Sequence, residues 1–349
     1  MTNSASSPVT MCMRWFGPED PVPLAHIRQI PGITGIVSSV SGVPAGTPWT
    51  VDQVTSLRNE IAASGLTLDV IESIPVSDEI KLAGDGADAH IDAWCESVLA
   101  VADAGVKTVC YNFMPIADWV RTDLAMPLPD GSTTLAYDDA AMPAFESKIL
   151  SGGARHLPAW ENIDTGSFES LRERYQARGE TGLWDALAAF LERVVPAAAS
   201  CGIRLGIHPD DPCWSVLGLP RIVTSCDAMR RVCALVDSPA NGITFCTGSL
   251  GCDPANDLVA GARELASRIA FMHARNVRTT GRRAVHESAH PRGCGDVDLP
   301  AVLGALVGGG FTGPMRPDHG RMIWGETGNA GYGLFDRALG ATYLLGALD

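Results

Sequence analysis

Eight short apolar runs, each bounded by glycine, proline or polar residues, alternate along the chain with helix-like segments, and no other feature narrows the possible folds so far. The runs are TMCMRWF (10–16), GITGIVSSV (32–40), LTLDVIES (66–73), VKTVCYNF (106–113), IRLGIHP (203–209), GITFCTG (242–248), RIAFMHARNV (268–277) and GPMRPDHG (313–320). Most are apolar almost without interruption, which is what strands covered on both faces require. Between them lie TVDQVTSLRNEIAASG, with Thr50 placed as N-cap and Gly65 as the stop, and DAHIDAWCESVLAVADAG, DALAAFLERVVPAAASCG, PRIVTSCDAMRRVCALV and DPANDLVAGARELASR. LFDRALGATYLLGAL follows the last run. Apolar residues recur in these segments at three- and four-residue spacing, and several close on glycine. Strand and helix in alternation predict an α/β fold, a parallel (β/α)8 TIM barrel spanning residues 1–349 as one domain.

The fourth unit departs from the pattern. Roughly seventy residues separate Phe113 from the helix that starts near Asp185, and MPLPDGSTTLAYDD and SGGARHLPAWENIDTGSFESL within them are rich in proline, glycine and aspartate. Loops of that length are usually functional. Residues 114–184 are therefore expected to form an insertion after strand four, a lid over the barrel mouth or a subunit contact.

Composition excludes several classes. The formal charge is −14 and the 26 Lys and Arg form no long run, so a nucleic-acid footprint is not expected. No apolar stretch approaches the ~18 residues of a membrane span, and MTNSASSPVT lacks the basic and apolar parts of a signal peptide, which makes a cytoplasmic protein the expectation. The ten cysteines are scattered, with no CxxC pair, and read as buried small hydrophobes.

In such barrels the C-terminal ends of the strands face the active site. His208 ends strand five, Cys246 lies on strand six, His273 on strand seven and Asp318 on strand eight, at spacings of 38, 27 and 45 residues. A lone strand cysteine is usually a core residue and a lone strand-end histidine is often merely hydrogen-bonded. Four common ligand types at matching ends of consecutive strands point instead to a metal site, and imidazole, thiolate and carboxylate together suit a divalent transition ion. Arg14, Glu72 and Asn112 end strands one, three and four, where they contact a polyhydroxylated ligand or form part of a hydrogen-bonded rim. Arg121 pairs either with a substrate carboxylate or with Asp123; Arg275 is a second candidate for that carboxylate. His290 is placed to reach the site or to remain a loop histidine. Tyr332 leans over the mouth or packs as an amphipathic tyrosine. Asp318 is expected to point inward, and its neighbour His319 joins it only if the strand ends between them.

The blocks MRWFGPEDPVPLAHIRQIPGITGIV, YNFMPIADWVRTDL, GIHPDDP, TFCTGSLG, FMHARNV and RPDHGRMIWGETGNAGYGLFDRALGA, in this order, resemble the mannonate dehydratase family from about Met11 to the C-terminus. The resemblance implies a barrel lyase that removes water from the sugar acid D-mannonate to give 2-keto-3-deoxy-D-gluconate with Mn2+ or Fe2+. It implies metal ligands at His208, Cys246, His273 and Asp318, acid/base groups at His319 and Tyr332, and a homo-oligomer, a dimer or larger. The chain departs from the family pattern after strand seven, where VHESAHPRGCGDVDL has a longer gap before GDVD. Two other readings share the same barrel: a metal-dependent sugar isomerase or epimerase, and a barrel that binds a sugar acid without turning it over.

Overall fold

The computed structural model describes residues 9–153 and 165–349. Residues 1–8, and the part of the expected insertion at 154–164, lie outside the described residues. Eight strands close a parallel barrel: β1 (Thr10–Arg14), β2 (Gly35–Ser38), β3 (Thr67–Glu72), β4 (Thr108–Tyr111), β7 (Arg204–Ile207), β8 (Asn241–Cys246), β9 (Ile269–His273) and β12 (Pro314–Arg316). Two hairpins outside the barrel supply β5 (Asp123–Pro127), β6 (Thr133–Asp138), β10 (Asn276–Gly281) and β11 (Ala284–Ser288). These four form a separate antiparallel sheet in the order β10-β11-β6-β5.

All eight expected strands are present, each shorter than the apolar run that suggested it. The run 268–277 breaks after His273, because the Thr247 hydroxyl replaces the next strand partner: Arg275 donates its backbone N–H to Thr247 Oγ1 at 3.0 Å, and that hydroxyl donates to the Arg275 carbonyl at 2.7 Å. The chain beyond then joins the second sheet as β10. The eighth run is strand only over Pro314–Arg316.

Thr50 caps helix Val51–Ala63 with a reciprocal bond to Gln53, and Gly65 follows in the left-handed region at φ +76°. Two helices that sequence reading did not single out, Leu24–Ile27 and Leu299–Gly308, fill the remaining crossovers. The helix expected from Asp185 begins at Thr165 instead, running to Cys201 with a break at Gly179. The four-residue helix Asp78–Lys81 follows β3.

Strand alternation sorts the barrel into two faces. Cys12, Val37, Val70, Cys110 and Phe271 form a closed cluster within the barrel, whereas Met11, Met13, Ile36, Ile71 and Val109 belong to the larger core. Thr244 joins the inner layer by donating to Cys110 Sγ at 3.2 Å. Two residues onward from this floor, every strand must again present an inward side chain, and the site begins there.

Candidate active site

Counting two residues up from the floor gives Arg14, Ser39, Glu72, Asn112, Cys246 and His273; His208 and Arg316 stand at the same height on the other two strands. Arg14, Ser39, Glu72, Asn112, His208 and Arg316 line a cavity of about 560 Å³, together with Asp318, His319 and Tyr332 above them. Met114, Ile116 and Trp119, from the first part of the expected insertion, form part of its wall.

His208, Cys246 and His273 converge so that one donor atom from each lies within 4.8 Å of the others. The His208 Nδ1–H donates to the Pro209 carbonyl at 2.7 Å, which leaves Nε2 without a proton in the neutral ring. That bare nitrogen lies 3.1 Å from His273 Nδ1. The other His273 nitrogen, Nε2, accepts from Arg316 Nε at 3.0 Å and lies 3.2 Å from Glu72 Oε1. Cys246 Sγ accepts from the backbone N–H and the hydroxyl of Ser249 at 3.4 and 3.2 Å. Asp318 Oδ2 stands 3.7 Å from both Cys246 Sγ and His273 Nδ1. Two imidazole nitrogens thus stand beside a sulfur and a carboxylate oxygen, a donor set that fits a divalent transition ion.

Asp318 and His319 both reach the cavity because β12 ends at Arg316 and Asp318 adopts φ +46°. The strand was expected to end between the pair; it ends earlier, at Arg316, and the turn at Asp318 brings both side chains in. Burial alone would raise the Asp318 pKa, but the Arg316 guanidinium, with help from His319, His273 and Arg275, holds it well below the usual carboxylate range. Arg316 Nη2 lies 2.7 Å from Asp318 Oδ1 and 3.1 Å from Glu72 Oε1. Glu72 is likewise depressed: desolvation is outweighed by Arg316 and then His273.

His319 sits between two partners. Its Nδ1 is 3.1 Å from Glu287 Oε1 and its Nε2 is 2.9 Å from Tyr332 Oη. A carboxylate only accepts, so Nδ1 carries the proton and Nε2 accepts from the tyrosine. Tyr332 packs edge-on against Phe16, and burial, followed by Asp318 and Glu72 against the opposing pull of Arg316, raises its pKa. Gly331, at φ +78°, delivers the tyrosine to this position, and a Cβ there would strike Leu135.

Arg121 and Arg275 are not at the cavity wall. Both are buried and hold Asp211 and Glu287: Arg121 at 2.8 Å from each, Arg275 at 2.7 Å from each, and Arg275 Nε also lies 2.6 Å from Asp318 Oδ2. Asp211 and Glu287, rather than Asp123, are thus the partners of Arg121. These guanidiniums are spent on carboxylates and brace the site from behind the cavity wall. Burial raises the Glu287 pKa, but Arg275 and Arg121 bring it down to about 2. His290 is buried too, its Nε2 2.8 Å from the Pro317 carbonyl; desolvation lowers its pKa, and it supports the 317–319 turn from outside the cavity. Arg14 lines the cavity while donating to the Trp15 and Val37 carbonyls, and Asn112 Oδ1 accepts from Met114 N–H.

Arg316 and Glu287 were missed in the sequence. For Arg316 the signal was there, since it occupies the inward position two residues before Asp318. Glu287 had none: it reaches His319 only because β11 belongs to the second sheet, where Thr134 of β6 donates to its carbonyl at 3.0 Å.

Residues 9–349 match the family model described as D-mannonate dehydratase (UxuA). The chain is 48% identical over 339 residues to mannonate dehydratase 2 of Halalkalibacterium halodurans, covering 96% of this chain and 97% of that one. It is 44% identical over 342 residues to mannonate dehydratase of Streptococcus uberis, covering 97% of each. The crystal structure of mannonate dehydratase from Streptococcus suis serotype 2 superposes with a TM-score of 0.89 at 42% identity, over 97% of this chain and 94% of that one. A full-length match to the family model, joined to close relatives of nearly equal length, places this chain in the mannonate dehydratase family.

Proposed function

We propose that this protein is a lyase that removes water from D-mannonate to give 2-keto-3-deoxy-D-gluconate, with Mn2+ or Fe2+ held by His208, Cys246, His273 and Asp318. The observation that carries the reading is the opening of a His319–Tyr332 hydrogen bond into the cavity that His208 and Asp318 also line, with Cys246 and His273 converging on His208 behind its wall. When bound there, the ion supplies Lewis-acid stabilisation of the negative charge that develops on the substrate carboxylate and its neighbouring oxygen.

The chain's own groups divide the proton transfers. His319 Nε2 is a lone pair whose ring is oriented through Nδ1 by Glu287, and it takes the proton from C2. Glu287 then stabilises the imidazolium so formed. Tyr332, protonated and raised by burial, gives its proton to the departing C3 hydroxyl. The C2–H electrons pass first onto the carboxylate as an enediolate and then return to form the C2–C3 double bond as the C3–O bond breaks and water leaves. The resulting enol becomes the 2-keto acid when C3 takes up a proton and the C2 hydroxyl releases one. Positioned acid/base groups of this kind contribute about 10² to 10⁴ in rate. Trp119 and Ile116 limit the access of water from above, which gives the start of the insertion the role of a partial cover.

Incubated with D-mannonate and Mn2+ or Fe2+, the folded protein is expected to yield a keto acid lighter than the substrate by one water. A product of unchanged mass would transfer the site to an isomerase or epimerase. Ligand-induced stabilisation without conversion would reduce it to a binding barrel.

A further inference from the structure

Lys81 is a buried ammonium at the cavity wall, 7% exposed, and among the described residues no carboxylate forms an ion pair with it. Its Nζ donates to the Met114 carbonyl at 2.8 Å, which uses one of three protons. The neighbouring acids are engaged elsewhere. Asp78 accepts the Tyr175 hydroxyl, Glu79 pairs with Arg174 at 3.7 Å, and Glu72 is held by Arg316. A buried charge left without a counter-charge is costly, so a chain keeps one where a ligand completes it.

Its location says which part of a ligand that is. Lys81 ends the short helix after β3, and β3 lies four strands from β9 in either direction around the barrel, opposite His273. Cys246 on β8, His273 on β9 and Asp318 after β12 lie on that far side, three or four strands from β3, and His208 after β7 lies two strands away. We infer that Lys81 is a specificity-determining residue, donating its two remaining N–H groups to oxygens at the end of the sugar acid farthest from the four donors. This inference rests on the proposed reaction for the identity of the ligand. A six-carbon acid anchored by its carboxylate and C2 oxygen would turn its terminal hydroxyls toward this ammonium, and Lys81 would favour it over a shorter acid.

The test compares Lys81→Met, which keeps the stem and removes the charge, with Lys81→Arg, using Mn2+-loaded protein. For Lys81→Met the expected result is a KM for D-mannonate raised roughly tenfold or more, with kcat within about threefold of the unsubstituted enzyme. Lys81→Arg should recover part of the loss. Calorimetric binding of D-mannonate to the same three proteins should follow the same order and does not depend on turnover. An unsubstituted protein that binds D-mannonate without converting it would defeat the proposed reaction, while the binding series would still decide the role of Lys81. Equal affinity in all three proteins would overturn the inference. So would a loss of kcat and melting temperature in Lys81→Met that Lys81→Arg fails to restore, which would make Lys81 a structural support for the Met114 turn.

Discussion

Cys246 shows how much one side chain is asked to do. It is fully buried at the end of β8, caps the short turn of helix that follows, and accepts two hydrogen bonds from Ser249. Replacing its sulfur by oxygen keeps the size and removes the thiolate, so Cys246→Ser is expected to retain much less Mn2+ or Fe2+ after gel filtration than the unsubstituted protein. Unchanged metal content, measured by elemental analysis, would remove Cys246 from the ligand set. For Tyr332→Phe, the account assigns loss of the acid with retention of the base. Dehydration should fall by about 10² to 10⁴, while exchange of the C2 hydrogen with deuterated solvent persists. Equal loss of both would place the tyrosine on the C2 proton instead. The convergence of His208, Cys246, His273 and Asp318 was legible because strand periodicity placed all four at the same end of the barrel. Arg121 and Arg275 were misread for a physical reason: a sequence shows that a guanidinium is present but not which carboxylates have already neutralised it.

Among the elements, the barrel strands were legible and the second sheet was not. Barrel strands carry a dense apolar signal because both faces are covered, whereas β5 alternates exposed and half-buried residues in only five positions. Its sheet also joins hairpins from two distant loops, a pairing that local pattern does not encode. The consequence reaches the site, since β11 supplies Glu287 to His319 and to both buried arginines. Close approach between elements gives a further expectation. Gly248, just after β8, leaves room for the Arg275 guanidinium, onto which a Cβ would fall. Gly248→Ala should therefore displace Arg275 from Asp211 and Glu287 and destabilise the fold by about 1–3 kcal/mol. A melting temperature equal to that of the unsubstituted protein would show that the packing there is looser than described.

For the whole molecule, the ten cysteines are free and seven of them are buried, as their apolar surroundings suggested. No described helix is long and apolar enough to cross a membrane. The buried charges behind the cavity wall tie stability to pH. Glu287 is depressed to about 2 from an ordinary value of 4.5, so the unfolded chain binds its proton first as pH falls. Its contribution, on the order of 3 kcal/mol, is complete above about pH 4.5 and is lost as pH falls from there toward 2. Melting temperature should fall across that window, and less steeply in Glu287→Gln; parallel slopes would show that Glu287 is not held by its arginines. The central claim, that the four donors and the His319–Tyr332 pair together expel water from a sugar acid, is tested most directly with D-mannonate carrying deuterium at C2. Mass spectrometry of the product formed by the Mn2+- or Fe2+-loaded protein should show that the label and one water have both gone. A product that keeps every oxygen of the substrate would contradict the account.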